Sequence, residues 1–251
     1  MSRQTDIALT LFRKPKGILT KTLSLLPTGE LHKDSSECAM SAGDFVTLSI
    51  PHVRDLVGIL TNIKNSQCLA YGVCRAQQEG KIVSSEKVKP GDITRTKDTF
   101  IYRPGQPAIV MLDYDGPPGR PILTRDGWLA LLYEACPGLA AVARIWRPST
   151  TSYIYDKTGR ELRGLTGQRL YFAVAEGADI PRFGEVLFKR LWLKGHGHIE
   201  ISQAGSLLLR APIDAAVFSP ERLDFVSGSV CKDGLSQGDL NPVYMDGEEM
   251  L

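Results

Sequence analysis

The chain has 251 residues, 43% of them apolar and 23% charged, with a formal net charge of +2. That composition excludes collagen-like, disordered and coiled-coil chains, and no apolar run approaches the ~18 residues of a membrane span. Cys38, Cys68, Cys74, Cys136 and Cys231 are scattered without a Cys-x-x-Cys pair, so neither a zinc ribbon nor a disulfide framework is indicated.

Reduced thiols in a cytoplasmic protein are the expectation. The opening residues, Met1 to Asp6, lack the basic stretch and apolar core of a secretory leader. Composition divides the chain into three blocks: residues 1–104, a smaller α/β N-terminal subdomain; residues 105–225, dense in periodic apolar segments; and residues 226–251, an acidic tail or linker. In the last block Asp233, Asp239, Asp246, Glu248 and Glu249 stand against Lys232. The rest of the chain is mildly basic, which permits a polyanionic partner.

In the N-terminal block, residues 6–12 and 67–73 read as strands. Residues 51–63 read as a helix, because Val53, Leu56, Val57 and Leu60 recur at helical spacing. His32 and His52 are isolated and read as structural or surface histidines. Residues 108–113 (AIVMLD) form an apolar run ending in a carboxylate, the pattern of a buried strand. Asp115 lies two places on, and side chains two apart on a strand share a face. Residues 126–135 read as a helix capped by Thr124 or Asp126 and ended by Pro137-Gly138. A strand over 142–146 leads into the polar loop Arg147-Pro-Ser-Thr-Thr-Ser152. Another strand follows over 168–174, then an amphipathic helix over 180–193 with Pro181 near its start. Short strands over 198–202 and 207–210 precede Ile213-Asp214. This order predicts an α+β fold, a mixed or antiparallel sheet of the RRM or palm kind with flanking helices.

Asp113, Asp115 and Asp214 pose the chemical question. Two carboxylates on one strand face repel, and in a cleft they call for a cation. Magnesium takes one or two carboxylates plus phosphates and water, and a pair of such ions can drive nucleotidyl transfer. The bland alternative is a solvated turn, since Asp115-Gly116-Pro117-Pro118-Gly119 is turn-like.

The ordered set Asp113-Tyr-Asp115, Arg147 to Ser152, Gly167-Gln-Arg-Leu-Tyr171, Asp179 to Arg182, Arg190 to Gly197, Arg210-Ala-Pro-Ile-Asp214 and Pro220 to Phe225 resembles the archaeo-eukaryotic primase superfamily. It looks most like the primase–polymerase domains of phages, plasmids and integrated elements, over residues 105–225. The resemblance implies template-directed nucleotidyl transfer in replication, as a DNA primase or DNA polymerase. Asp113, Asp115 and Asp214 would then be both the catalytic residues and the ligands of two Mg²⁺ or Mn²⁺ ions. The implied partners are a single-stranded DNA template, nucleoside triphosphates (deoxy or ribo) and a replicative helicase, with no membrane association. The family's phosphate-holding motif, a small hydroxyl residue, any residue, then His, is matched here only by Gly167-Gln168-Arg169, followed by Tyr171. Arg169 is a chemical substitute, because a guanidinium can grip phosphate oxygens bidentately. Ser149, Thr151, Ser152, Arg169, Tyr171 and His196 are thus the expected nucleotide-binding residues.

Two rivals belong to other classes. His196-Gly197-His198, with Tyr153 or Tyr155 as nucleophile, resembles the metal element of single-strand-nicking replication endonucleases, although its central residue is Gly. The other rival is a nucleic-acid-binding module without catalysis, and ten basic residues between Arg144 and Lys194 against five acids would suit it equally.

Overall fold

The computed structural model describes residues 6–116 and 121–251. The first five residues, and Pro117 to Gly119 of the turn-like stretch, therefore lie outside the described residues. The fold is α+β, built mainly on two four-stranded antiparallel sheets. The N-terminal sheet runs in the order Gln67–Ala70, Ile7–Arg13, Gly43–Ile50, Glu79–Ile82. The central sheet runs Val243–Met245, Arg144–Pro148, Gly167–Val174, Ala108–Asp115. The helices are α1 (Leu56–Asn62), α2 (Arg125–Ala135) and α3 (Ile180–Leu193). Among the described residues no helix is long and apolar enough to cross a membrane.

Strand periodicity gives the central sheet two unlike faces. Val110, Leu112 and Tyr114 point toward α2 and α3. There Trp128 stacks on Tyr114 at 5.6 Å and donates its indole N–H to the Pro212 carbonyl at 2.7 Å. Phe183 of α3 meets Phe172 edge to face at 5.8 Å. Thr124 caps α2, its hydroxyl accepting from the Gly127 N–H at 3.1 Å, which satisfies one of the donors a helix start leaves free. The opposite face carries Met111, Asp113 and Asp115, with Arg169 and Tyr171 beside them, and it turns toward the N-terminal block. Tyr71 from that block lies 5.9 Å from Tyr171.

The sequence boundary at residue 104 is not a boundary in the core. Ile7, Leu9, Val53 and Leu56 pack in the same apolar cluster as Ile109, Leu112 and Leu170. A smaller aromatic cluster of Phe12, Phe45 and Phe100 fills the far side of the N-terminal sheet.

Residues 226–251 are not a solvated tail. Val243–Met245 is the edge strand beside Arg144–Pro148, Val230–Cys231 pairs in parallel with Thr22–Leu25, and Ser236–Gln237 pairs with Ile154–Tyr155. Leu251 donates its backbone N–H to the Ala173 carbonyl at 2.9 Å. The segment is anchored by backbone pairing rather than by a run of buried side chains. Its polar composition therefore misleads.

Candidate functional site

Asp113 and Asp115 project together from the end of the Ala108–Asp115 strand, on the face away from α2. Across the ladder Asp113 faces Arg169 and Asp115 faces Gly167. The glycine matters at this point. A Cβ on Gly167 would lie 2.7 Å from Asp115 Oδ1 and 2.9 Å from the Tyr114 carbonyl, so any side chain there would displace the carboxylate. Asp214 arrives from a different part of the chain. Its backbone N–H donates to the Asp113 carbonyl at 2.8 Å. Its carboxylate accepts from the Ala216 N–H at 2.9 Å, capping the turn Ala215–Phe218.

The three aspartates line one cavity of about 680 Å³. Arg169 lines it too, with Lys21 and Arg95 from the N-terminal block and Arg222 from beyond Asp214. Sequence reasoning gave no role to these last three cations. Two of them precede residue 105, and only tertiary folding brings them to the carboxylates.

Arg169 is the electrostatic centre. Its Nε lies 3.3 Å from Asp113 Oδ1, its Nη1 lies 2.6 Å from Asp224 Oδ1, and it donates to the Phe225 carbonyl at 2.8 Å. Asp224 is buried and also accepts from the hydroxyls of Tyr71 (2.6 Å) and Tyr171 (3.0 Å). Burial disfavours charge on Arg169, but Asp224 and Asp113 outweigh it and hold the guanidinium cationic. Burial pushes the Asp113 carboxyl up to about 6, with Arg169 opposing and Asp115 and Asp224 adding to the rise. Lys21 is pulled below the usual lysine range by burial and then by Arg169 and Lys33.

The expected phosphate-gripping residues divide. Arg169 faces the cavity. Tyr171 does not: it is fully buried and its hydroxyl is committed to Asp224. Ser149, Thr151 and Ser152 are buried as well. Their hydroxyls converge on Thr166 Oγ1 at 3.0, 3.1 and 3.3 Å, so the loop satisfies its own polar groups. It abuts Gly167, one strand away from Asp115, and is not part of the cavity wall. His196 holds Glu134 at 2.8 Å, and its backbone N–H closes the end of α3 on the Leu191 carbonyl. With His198 it lines a second cavity of about 580 Å³, which shares Asp115 and Asp214 with the first. Tyr153 and Tyr155 are not among the residues lining it, so the histidine pair meets neither tyrosine there.

Among the described residues no group of three or more His, Cys, Asp or Glu side chains is drawn together into a metal shell. The donor set nonetheless suits a hard divalent cation. The carboxylates offer only oxygen donors, Asp113 and Asp115 share a strand face, and a desolvated carboxylate beside another gains from a nearby positive charge. A cation there would share Asp113 with Arg169. Comparison with models of known families, with curated proteins and with solved structures found no match to this chain.

Proposed function

We propose that this cavity is the catalytic centre of a template-directed nucleotidyltransferase, a cytoplasmic primase–polymerase that copies single-stranded DNA from nucleoside triphosphates. The observation that carries the reading is that Asp113, Asp115 and Asp214 line one cavity together with four basic side chains. Its volume of about 680 Å³ falls in the ~300–1,000 Å³ range of small-molecule sites.

Asp113, Asp115 and Asp214 would hold Mg²⁺ or Mn²⁺, which when bound supply charge neutralisation for the triphosphate and a more acidic attacking hydroxyl. The chain's own groups do the rest. Lys21, Arg95 and Arg222 present positive charge to a polyphosphate entering the cavity. Arg169 holds Asp113 in place and supplies a fixed positive charge on its floor. Gly167 keeps the space that the Asp115 carboxylate needs. Positioning and preorganised charge are the main sources of rate in such transfers.

The test is synthesis on a single-stranded template with nucleoside triphosphates and Mn²⁺. Wild type should give template-length-dependent products, and Asp113→Asn should lose at least ~100-fold, the scale of one electrostatic catalytic group. Near-normal synthesis by that variant would overturn the assignment. Template binding without any product from wild type would leave the non-catalytic module, and a covalent tyrosine–DNA adduct would favour the nicking enzyme.

A further inference from the structure

Arg147 stands directly opposite Arg169 on the neighbouring strand, so the two guanidinium stems leave the same sheet face. The Arg147 side chain is buried, with 2% exposure for the residue, and its Nε and Nη1 have no hydrogen-bond partner among the described residues. Ser227 is 3% exposed, and its Oγ is likewise buried without a partner. Both residues line one cavity of about 300 Å³. The chain from Leu223 to Gly228 separates it from the carboxylate cavity: Leu223 and Phe225 face the one, Val226, Ser227 and Gly228 the other.

Two residues on the wall of one hollow each carry buried polar atoms without a partner, an arrangement that folding alone does not reward. Buried polar groups are normally paired, and a buried charge more so. Burial lowers the Arg147 pKa, Arg169 beside it adds to that effect, and Tyr171 and Asp224 only oppose it. Asp224 is already committed to Arg169, Tyr71 and Tyr171. Nor does Gln237 serve as the missing partner. Its amide donates to the Thr150 and Ser152 carbonyls and accepts from the Ser229 N–H. A water molecule would meet the hydrogen bonds but not the charge.

We propose that Arg147 and Ser227 form a phosphate-binding site distinct from the carboxylate cavity, taking one phosphate group of a free nucleotide or of a nucleic-acid backbone. The guanidinium supplies the bidentate grip and the serine hydroxyl a further donor. Asp239 at the rim is exposed, and its carboxylate accepts from the Asn241 N–H at 2.7 Å. It opposes an anion, so Asp239→Asn should tighten binding.

The experiment follows the Arg147 Nε–H resonance by ¹H–¹⁵N NMR in the intact chain without divalent cations, assigning it by its absence in Arg147→Lys. One arm adds inorganic phosphate at constant ionic strength. The other adds a single-stranded oligothymidylate lacking terminal phosphates. A shift with phosphate alone supports a site for free phosphates. A shift with the oligonucleotide as well supports a backbone contact. Ser227→Ala should weaken the response by roughly tenfold, the scale of one hydrogen bond to a charged group. No shift in either arm, or unchanged affinity in Ser227→Ala, would overturn the proposal.

Discussion

Two neighbouring arginines on one sheet face live in opposite conditions. Arg169 is enclosed by Asp113, Asp224 and the Phe225 carbonyl. Arg147, one strand away and as deeply buried, has two guanidinium nitrogens without partners. The contrast shows that burial of a charge does not by itself mark a binding site. Around Arg169 the protein supplies its own counter-charges, and Arg169 and Asp113 both line the carboxylate cavity. Around Arg147 it leaves two nitrogens unpaired.

The comparison is broken most severely by removing Asp224. Asp224→Ala would leave Arg169 like Arg147, a buried cation short of its strongest partner, and would strand the Tyr71 and Tyr171 hydroxyls. The expected loss is ~3–5 kcal/mol, the cost of breaking a buried pair from one side, read as a fall in the urea midpoint. For the same reason Arg169→Ala should cost fold stability as well as nucleotide affinity. A loss below ~1 kcal/mol in either variant would show that these pairings do not hold Arg169 as described.

Gly167→Ala sharpens the comparison from the other end. The new Cβ would press on Asp115 Oδ1 and on the Tyr114 carbonyl. Overpacking of this kind costs ~1–3 kcal/mol, and because it moves a proposed cation ligand, synthesis should fall further than stability alone explains. Activity that simply tracks the folded fraction would contradict that.

A pH dependence comes last. Asp113 titrates at about 6 in the fold against 3.8 ordinarily. Below pH ~4 the carboxyl is protonated in both states. Between ~4 and 6 the unfolded chain loses the proton while the folded chain keeps it, so this group lowers stability as pH rises, and the effect is flat above 6. The wild-type denaturation midpoint should carry that downward slope, and Asp113→Asn should lack it. An identical slope in the two proteins would assign the titration elsewhere.

Much of the fold was legible because its periodic signals were strong. The run ending at Asp113 did extend through Asp115 as one strand, α3 occupies residues 180–193 as the apolar stripe implied, and Thr124 caps α2. The 51–63 helix is shorter than its spacing suggested, a 3-10 turn followed by α1. The strand expected over 67–73 is broken at Tyr71-Gly72, where a Cβ in place of the Gly72 hydrogen would lie 2.4 Å from Pro220. Long-range partnerships were not legible. Tyr171 read as a nucleotide contact, yet its hydroxyl is spent on Asp224, 53 residues away. Lys21 and Arg95 carry no local pattern that ties them to Asp113. The serine–threonine loop has the composition of a phosphate grip, and only the position of Thr166 turns its hydroxyls inward.

The central assertion is that three aspartates separated in sequence jointly hold divalent cations. Crystals soaked with Mn²⁺ and a non-hydrolysable nucleoside triphosphate, measured at the manganese absorption edge, address it directly. The account predicts anomalous density contacting Asp113, Asp115 and Asp214, with Arg169 still bound to Asp224. Density at His196 and His198 instead, or none at the aspartates at saturating Mn²⁺, would contradict it.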